Sequence, residues 1–353
     1  MKIAVITDTH WGARNDNGAL MHQMTKFYQQ TFFPTLEQRS IDTVLHLGDL
    51  VDRRKYINFV TAQTMDRVLF EPLRQRNITM HLILGNHDTY YKNTNETNGP
   101  AQLYKRNDNL HLYENLPAEL DFDGCSVLMV PWINKQNQDA IFEALKDTRS
   151  QIVMGHFEIQ GYEMMRGRLC EHGLDRNLFE KFDSVYSGHF HHPSAHGNVT
   201  YLGAPYEMDW SDYGGHRGFH IFDTETRQME FVANPFSCFH KFDYADEDLT
   251  VDDIEAIDVS HLENTFIKVI VKERTQPYLF DMWLDKLTSS GASDVKVIED
   301  HTTLEEFDDD DFIDEAQDTL TLMSVFIDRI GTSHDKDKVD QYLRELYQEA
   351  ISI

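Results

Sequence analysis

The chain has 353 residues, 41% of them hydrophobic and 12% aromatic, and a formal net charge of −28. That length supports one large core and a smaller domain; with a mean hydropathy of −0.51, no stretch nears the roughly 18 apolar residues that span a bilayer. The charge speaks against non-specific nucleic-acid binding by the surface as a whole, which needs lysine and arginine against phosphates, but it leaves room for a local site or a basic partner.

The chain opens on "MKIAVITDTH", which reads as a strand of the fold rather than a secretory leader. Cys125, Cys170 and Cys238 are widely spaced, with no CxxC pair. A reduced, cytoplasmic setting fits them, and a disulfide framework does not. Over residues 1–235 the predicted strands are "KIAVITD", "TVLHLGD", "MHLILGNHD", "SVLMVPW", "QIVMGH", "DSVYSGH", "VTYLGAP" and "GFHIFDT". Helical patterns fall near 19–38, 60–76, 100–106 and 136–147. Unbroken apolar runs point to sheets covered on both faces. Strand–helix alternation in the first half implies βαβ units, whereas the later, closely spaced strands suggest a more antiparallel second sheet.

After about residue 240 the pattern changes. "TFIKVIVKE", "PYLFDMWLDKLTS" and "DVKVIED" read as strand, amphipathic helix and strand of a small α+β unit. A carboxylate-dense run follows and reads as a solvated linker. The chain then shows two helical patterns with apolar stripes, Phe312, Leu320, Met323, Phe326 and Ile327, then Val339, Leu343, Leu346 and Tyr347, which need a surface to cover. The expected division is 1–239 for the main α/β domain, 240–300 for the α+β unit, 301–311 for the linker and 312–353 for the helical tail. The Gly-rich, aromatic stretch "DWSDYGGHRGF" (209–219) reads either as a plain loop or as a contact to a substrate backbone.

Five of the predicted strands end in polar residues of one chemical kind. They are Asp8 and His10; Asp49 and Asp52; Asn86, His87 and Asp88; His156; and His189 and His191. In open α/β sheets ligands sit beyond the carboxyl ends of strands, so these residues are expected to converge. Imidazole and carboxylate without thiolate suit Mn, Fe, Zn or Co. Two such ions about 3.5–4 Å apart clamp a phosphate and activate water. Asp49 is the candidate bridge, since Gly48 allows a close turn. Asp8 and His10 at i and i+2, like His189 and His191, point to one side of an extended chain. Asn86 offers a neutral oxygen to an ion, while His87 faces the substrate to stabilise or protonate a leaving oxygen. Asp88 is placed to hold the His87 ring. Of the eighteen histidines, His22, His46, His81, His111, His220 and His240 read as ordinary structural or surface residues, and His192 as a solvated neighbour of the site.

The ordered set D-x-H, G-D-x-x-D, G-N-H-D, G-H and G-H-x-H resembles the calcineurin-like metallophosphoesterase superfamily over residues 1 to about 224. Within it the chain is most similar to SbcD-type double-strand-break repair nucleases, and among these to the recombination endonuclease subunits of T4-like bacteriophages, in "GNHDTYYKN", "DFDGCSVLMVPW" and "SGHFH". The resemblance implies an α/β fold: a two-sheet β-sandwich flanked by helices, a small α+β capping domain and a helical C-terminal tail. It implies a Mn-dependent DNA nuclease with two Mn²⁺ ions, Mg²⁺ or other divalent metals being alternatives. One ion would take Asp8, His10, Asp49 and His191; the other would share Asp49 and take Asn86, His156 and His189. His87 would be the proton donor or transition-state stabiliser.

The resemblance further implies 3′→5′ exonuclease action on duplex DNA and endonuclease action on single strands, in a repair and recombination complex. The partner would be an SMC-like coiled-coil ATPase bound through the tail. A homodimer would form through the helix near 60–76, with Val68 and Leu69, and the segment with Leu103. The setting would be a cytoplasm, that of the host cell for a phage protein. The chain departs from some members at Asp52, where they carry a histidine. "GDLVDRR", with Arg53 after it, is also similar to serine/threonine phosphatases, in which an arginine grips phosphate. Hydrolysis of small phosphoesters and a non-catalytic scaffold for the ATPase are the alternative readings.

Overall fold

The computed structural model describes residues 1–104, 107–165 and 168–299, and beyond them Ile327, Lys336, Lys338, Val339, Tyr342 and Leu343. Apart from those six positions, the expected linker and helical tail lie outside the described residues. Met1–Asp300 is one compact unit.

Two six-stranded sheets supply its framework. The first has the order Gln228–Ala233, Gly218–Asp223, Lys2–Ile6, Thr43–His46, Thr79–Ile83, Leu110–Tyr113. Its last four strands run parallel, and Gly218–Asp223 pairs antiparallel with Lys2–Ile6. The second has the order Ser194–His196, Val199–Tyr201, Ser184–Gly188, Ile152–His156, Cys125–Val130, Ala118–Phe122. Alternation along each strand sorts the apolar side chains between two faces. Ile3, Val5, Leu45 and Ile83 pack with Val127, Met129, Ile152 and Met154 between the sheets. Ala4, Ile6, Val44 and Leu82 instead meet the helical layer through Leu20, Met24, Phe27, Val68 and Leu69. Leu128, Val130 and Val153 meet Ile141 and Leu145 on the outer side of the second sheet. The result is the expected α/β sandwich, helices outside and sheets inside. Each large apolar side chain so buried stabilises it by about 1.5–3 kcal/mol.

The second sheet is more parallel than its strand spacing suggested. Cys125–Val130, Ile152–His156, Ser184–Gly188 and Val199–Tyr201 all run in one direction, and only the edge strands are antiparallel. The helix Gln138–Asp147 and the excursion 157–183 carry the chain back before each new strand, as a parallel sheet requires. Gly218–Asp223, grouped with the later strands by sequence, belongs to the first sheet. Leu110–Tyr113, Ala118–Phe122, Ser194–His196 and Gln228–Ala233, the four edge strands of the two sheets, were not anticipated.

Both long predicted helices are interrupted. Tyr28–Phe32 and Asp66–Phe70 are π-helical turns immediately before Phe33–Gln38 and Glu71–Gln75. Pro34 and Pro72, which lack an N–H, stand just beyond them, so the regular i→i−4 ladder cannot continue there. The second π turn buries Val68 and Leu69 in the core. They therefore cannot form a dimer surface. The exposed large apolar side chains of that region include Phe59 (91% exposed), Val60 and Leu103.

From Phe239 on, three parallel strands, Phe239–Ala245, Phe266–Glu273 and Asp294–Glu299, form a small sheet. The helix Val251–Ala256, opened by a Thr250–Asp253 capping box, and the helix Pro277–Thr288 close a core of Tyr244, Ile254, Ile267, Val269, Phe280 and Trp283. Among the described residues no helix is long and apolar enough to cross a membrane.

Candidate metal centre

The parallel strands of both sheets deliver their carboxyl ends to one edge of the sandwich, and the polar residues expected to converge meet there. Asp8, Asp49, Asn86, Asp88 and His156 are buried to within 1% and His10 to 2%. The chain turns sharply at this edge: Asp8, His10, Asp49 and His189 all have left-handed backbones, with φ of 51°, 39°, 54° and 87°. Non-glycine residues held there carry strain of order 1–3 kcal/mol each. The extended geometry expected around Asp8–His10 and His189–His191 is thus absent. Asp8 and His10 still reach one pocket, but the turn at His189 sends its ring and that of His191 to opposite ends of the site.

At one end, Asp8, His10 and His191 bring donor atoms within 4.8 Å of one another; His10 Nε2 and His191 Nε2 are 3.1 Å apart. At the other end Asp49, His156 and His189 do the same. There Asn86 Oδ1 lies 2.9 Å from both His156 Nε2 and His189 Nδ1. Asp49 stands between the two ends, its Oδ2 3.6 Å from His10 Nε2 and 3.4 Å from His156 Nε2.

The glycines that precede these residues leave them room. A Cβ on Gly85 would sit 2.2 Å from Asp49 Oδ1, and one on Gly188 would sit 2.0 Å from Thr7 Oγ1 and 2.9 Å from Asp8 Oδ2.

The electrostatics are those of donors competing for positive charge. Burial works against ionised Asp49, but the imidazoles of His156, His87 and His10 outweigh it and hold its pKa well below the usual range. Burial also disfavours the charged forms of His10 and His156, yet Asp52 and Asp49 push His10, and Asp49 pushes His156, up to about 9. Asp8 is raised by burial. His189 and His191 are driven well down, first by burial and then by His156 and His10 respectively. Cations would relieve this competition, and the donor set fits them. Asn86 aims its oxygen at two ring nitrogens, while its buried Nδ2 has no hydrogen-bond partner among the described residues. All the donors are nitrogen or oxygen, the set that borderline divalent metals prefer.

The remaining predicted residues have clear places. His87 is half-buried; its N–H donates to Asp49 Oδ1 at 2.8 Å and its Nδ1 lies 2.5 Å from the Asp52 carbonyl. A carbonyl only accepts, so Nδ1 carries the proton and Nε2 the lone pair in the neutral ring that burial favours. Asp52 is therefore the orienter of His87, through its backbone, while its carboxylate backs His10 Nδ1 at 3.5 Å.

Asp88 does not touch the His87 ring as expected. Its carboxylate accepts the backbone N–H groups of Gly85, Leu50 and Val51 at 2.8, 2.9 and 3.1 Å, tying the Asp49 loop to the Asn86 loop. Burial pushes its pKa up to about 7 in spite of those donors. Arg53 is engaged by Asp16 at 3.0 Å and lies over the Tyr56 ring, not poised over the donors. Sequence reasoning missed Trp132, whose ring is 5.2 Å from that of His189 and 5.8 Å from that of His156. Its place at the end of "SVLMVPW", one more strand end, was the available signal.

The profile of the calcineurin-like phosphoesterases matches residues 1–193, more than half of the chain. The chain belongs to that family. It is accordingly a metal-dependent phosphoester hydrolase with a divalent-metal site. Exonuclease subunit 1 of Enterobacteria phage T4 is 31% identical over 355 residues, 99% of each chain. The SbcD subunit of the nuclease SbcCD from Staphylococcus saprophyticus is 22% identical over 293 residues, covering 75% of this chain and 76% of its own. The phosphoesterase match spans all ten predicted site residues.

Proposed function

We propose that this chain is the Mn-dependent nuclease subunit of a two-component DNA recombination and repair complex. Its reactions are 3′→5′ exonuclease action on duplex ends and endonuclease action on single strands. One observation carries the reading: the donor groups Asp8–His10–His191 and Asp49–His156–His189 meet at Asp49, with His87 in a third group beside His10 and Asp49, at the shared edge of two sheets. Asp8, His10, Asp49 and His191 would hold one ion, and Asp49, Asn86, His156 and His189 the other. A bound pair of ions supplies positive charge to phosphoryl oxygens and makes water a better nucleophile. The protein contributes position and a proton path. The Asp52 carbonyl holds the proton of neutral His87 on Nδ1, so Nε2 would first take up a proton from the attacking water and then return it to the leaving oxygen.

The nuclease names of the two relatives favour DNA over small phosphoesters, and Arg53, at the phosphatase-like position, is paired with Asp16 at 3.0 Å. A net charge of −28 fits a subunit whose partner, an SMC-like coiled-coil ATPase held by the tail, brings the basic DNA surface. A homodimer through the exposed Phe59–Val60–Leu103 region and a cytoplasmic setting, that of the host cell, complete the reading. The test is digestion of end-labelled duplex in Mn²⁺, Mg²⁺ and EDTA, with and without the cognate ATPase, beside a small aryl phosphodiester. Mn-dependent shortening of the duplex supports the proposal; turnover of the aryl ester with intact duplex in every condition defeats it.

A further inference from the structure

The 209–219 loop, read from sequence as a plain loop or a substrate contact, is tied down from inside. Asp212 and Arg217 form an ion pair, Nη2 to Oδ1 2.6 Å, with side chains 0% and 3% exposed. The other carboxylate oxygen of Asp212 accepts the Met208 N–H at 2.8 Å. Arg217 Nη1 donates to the carbonyl of His191, which also accepts the Ala204 N–H at 3.1 Å, and Nη2 lies 3.4 Å from His192 Nδ1. Gly215 packs against the guanidinium, where a Cβ would sit 3.1 Å from Nη2. Burying two charges costs several kcal/mol per ion before their attraction is counted, so such a pair is weak ground for stability alone.

Its place in the fold gives it another role. His191 follows Ser184–Gly188, a strand of the second sheet. Arg217 immediately precedes Gly218–Asp223, which pairs with Lys2–Ile6 of the first sheet, the strand that delivers Asp8 and His10. The two halves of the Asp8–His10–His191 pocket thus come from different sheets, and the guanidinium spans them at the site.

We propose that Arg217, held by Asp212, is a positioning residue that sets the separation of His191 from Asp8 and His10, and with it the affinity of that one ion site. This rests on the two-ion reading above. Residues that orient metal-ligating side chains are commonly worth 10–100-fold in metal affinity.

The experiment is a Mn²⁺ titration of the full chain, followed by electron paramagnetic resonance and calorimetry, with thermal unfolding as the check on folding. The variants are Arg217→Met, Arg217→Lys and Asp212→Asn; the last keeps the shape of the strut and decides the matter if Arg217→Met does not fold. The expected result is two ions in the native protein. In the variants, one ion binds as before and the other binds about 10–100-fold more weakly. His191→Ala should lose that same ion, and His189→Ala the other. Titrations identical to the native protein overturn the proposal, as does equal weakening at both sites, the mark of general loosening. A native protein that binds no Mn²⁺ fails the two-ion reading instead, and the proposal falls with it.

Discussion

Two groups of histidines on the same sandwich meet opposite fates. His81 and His111 face each other across neighbouring parallel strands of the first sheet. Their rings are 5.0 Å apart and nearly parallel, and the Tyr113 hydroxyl is 2.9 Å from His81 Nδ1. No described carboxylate contributes to the titration of His81, so burial, helped by His111, lowers it to about 4. The edge of the sandwich buries His10 and His156 more deeply, yet Asp52 and Asp49 carry His10, and Asp49 carries His156, up to about 9. Residue type does not separate the groups. The difference is that His81 has only neighbours to pack on, whereas the Asp49 carboxylate lies against both His10 and His156; a strand end alone does not decide it, since His189 and His191 at the same edge are driven down by burial.

The sharpest way to break that contrast is to remove the shared carboxylate. Asp49→Asn keeps the shape and the acceptor for the His87 N–H, so the fold should survive. Several kcal/mol of transition-state stabilisation should go, about 10³-fold or more in the rate of Mn-dependent phosphodiester hydrolysis. His81→Ala, in the same assay, should stay within about twofold. Equal losses in both variants would end the distinction.

Next in size is His87→Gln, which removes the proton-exchanging ring while leaving every proposed metal donor in place. Hydrolysis should fall by about 10²–10⁴-fold with the Mn²⁺ titration unchanged. A parallel loss of metal binding would recast His87 as a ligand.

Asp88→Ala should act on stability. Three backbone N–H groups lose their acceptor inside the protein, at a cost of about 3 kcal/mol or more, read from urea denaturation. An unchanged midpoint would mean that the loops around Asp49 and Asn86 hold themselves.

How these parts could be read from sequence follows the same division. The eight strands predicted over residues 1–235 are present because each is an apolar run long enough to signal itself. Asp8, His10, Asp49, Asn86, His156, His189 and His191 were legible because each sits just past such a run, most of them within two residues of a glycine, and their order fits one family. What the sequence hid depends on geometry across space. The edge strands Ala118–Phe122 and Gln228–Ala233 lack an unbroken apolar run; the first does alternate, but over only five residues. The direction of the second sheet is set by where a helix returns the chain, not by strand spacing. Asp88 stands next to His87 in sequence, but its carboxylate serves three amides of the surrounding loops. Val68 and Leu69 belong to an amphipathic helix whose inward side could not be assigned before the π turn at Asp66–Phe70 was known. Arg217, 26 positions from the carbonyl it holds, carries no local mark at all.

The smallest effect probes the other half of the comparison. If the His81–His111 pair is packing and nothing more, its signature is thermodynamic and depends on pH. The His81 ring titrates near 4 in the folded chain and near 6.5 in an unfolded one. The proton therefore prefers the unfolded state. The stability tied to a neutral His81 is fully present above about pH 6.5 and is lost as pH falls from there toward 4. The ring is only partly buried, so solvent screens the effect to on the order of 1–2 kcal/mol. Because the centre carries shifted groups of its own, the quantity to measure is a difference: urea midpoints of the native chain minus those of His81→Gln, at pH 7 and at pH 4.5. The native chain should lose more on acidification than the variant does, with the Mn-dependent rate at pH 7 the same in both. Parallel losses would mean that His81 is already accessible to protons in the folded chain. Burial would then not be what sets it apart from the histidines at the strand ends.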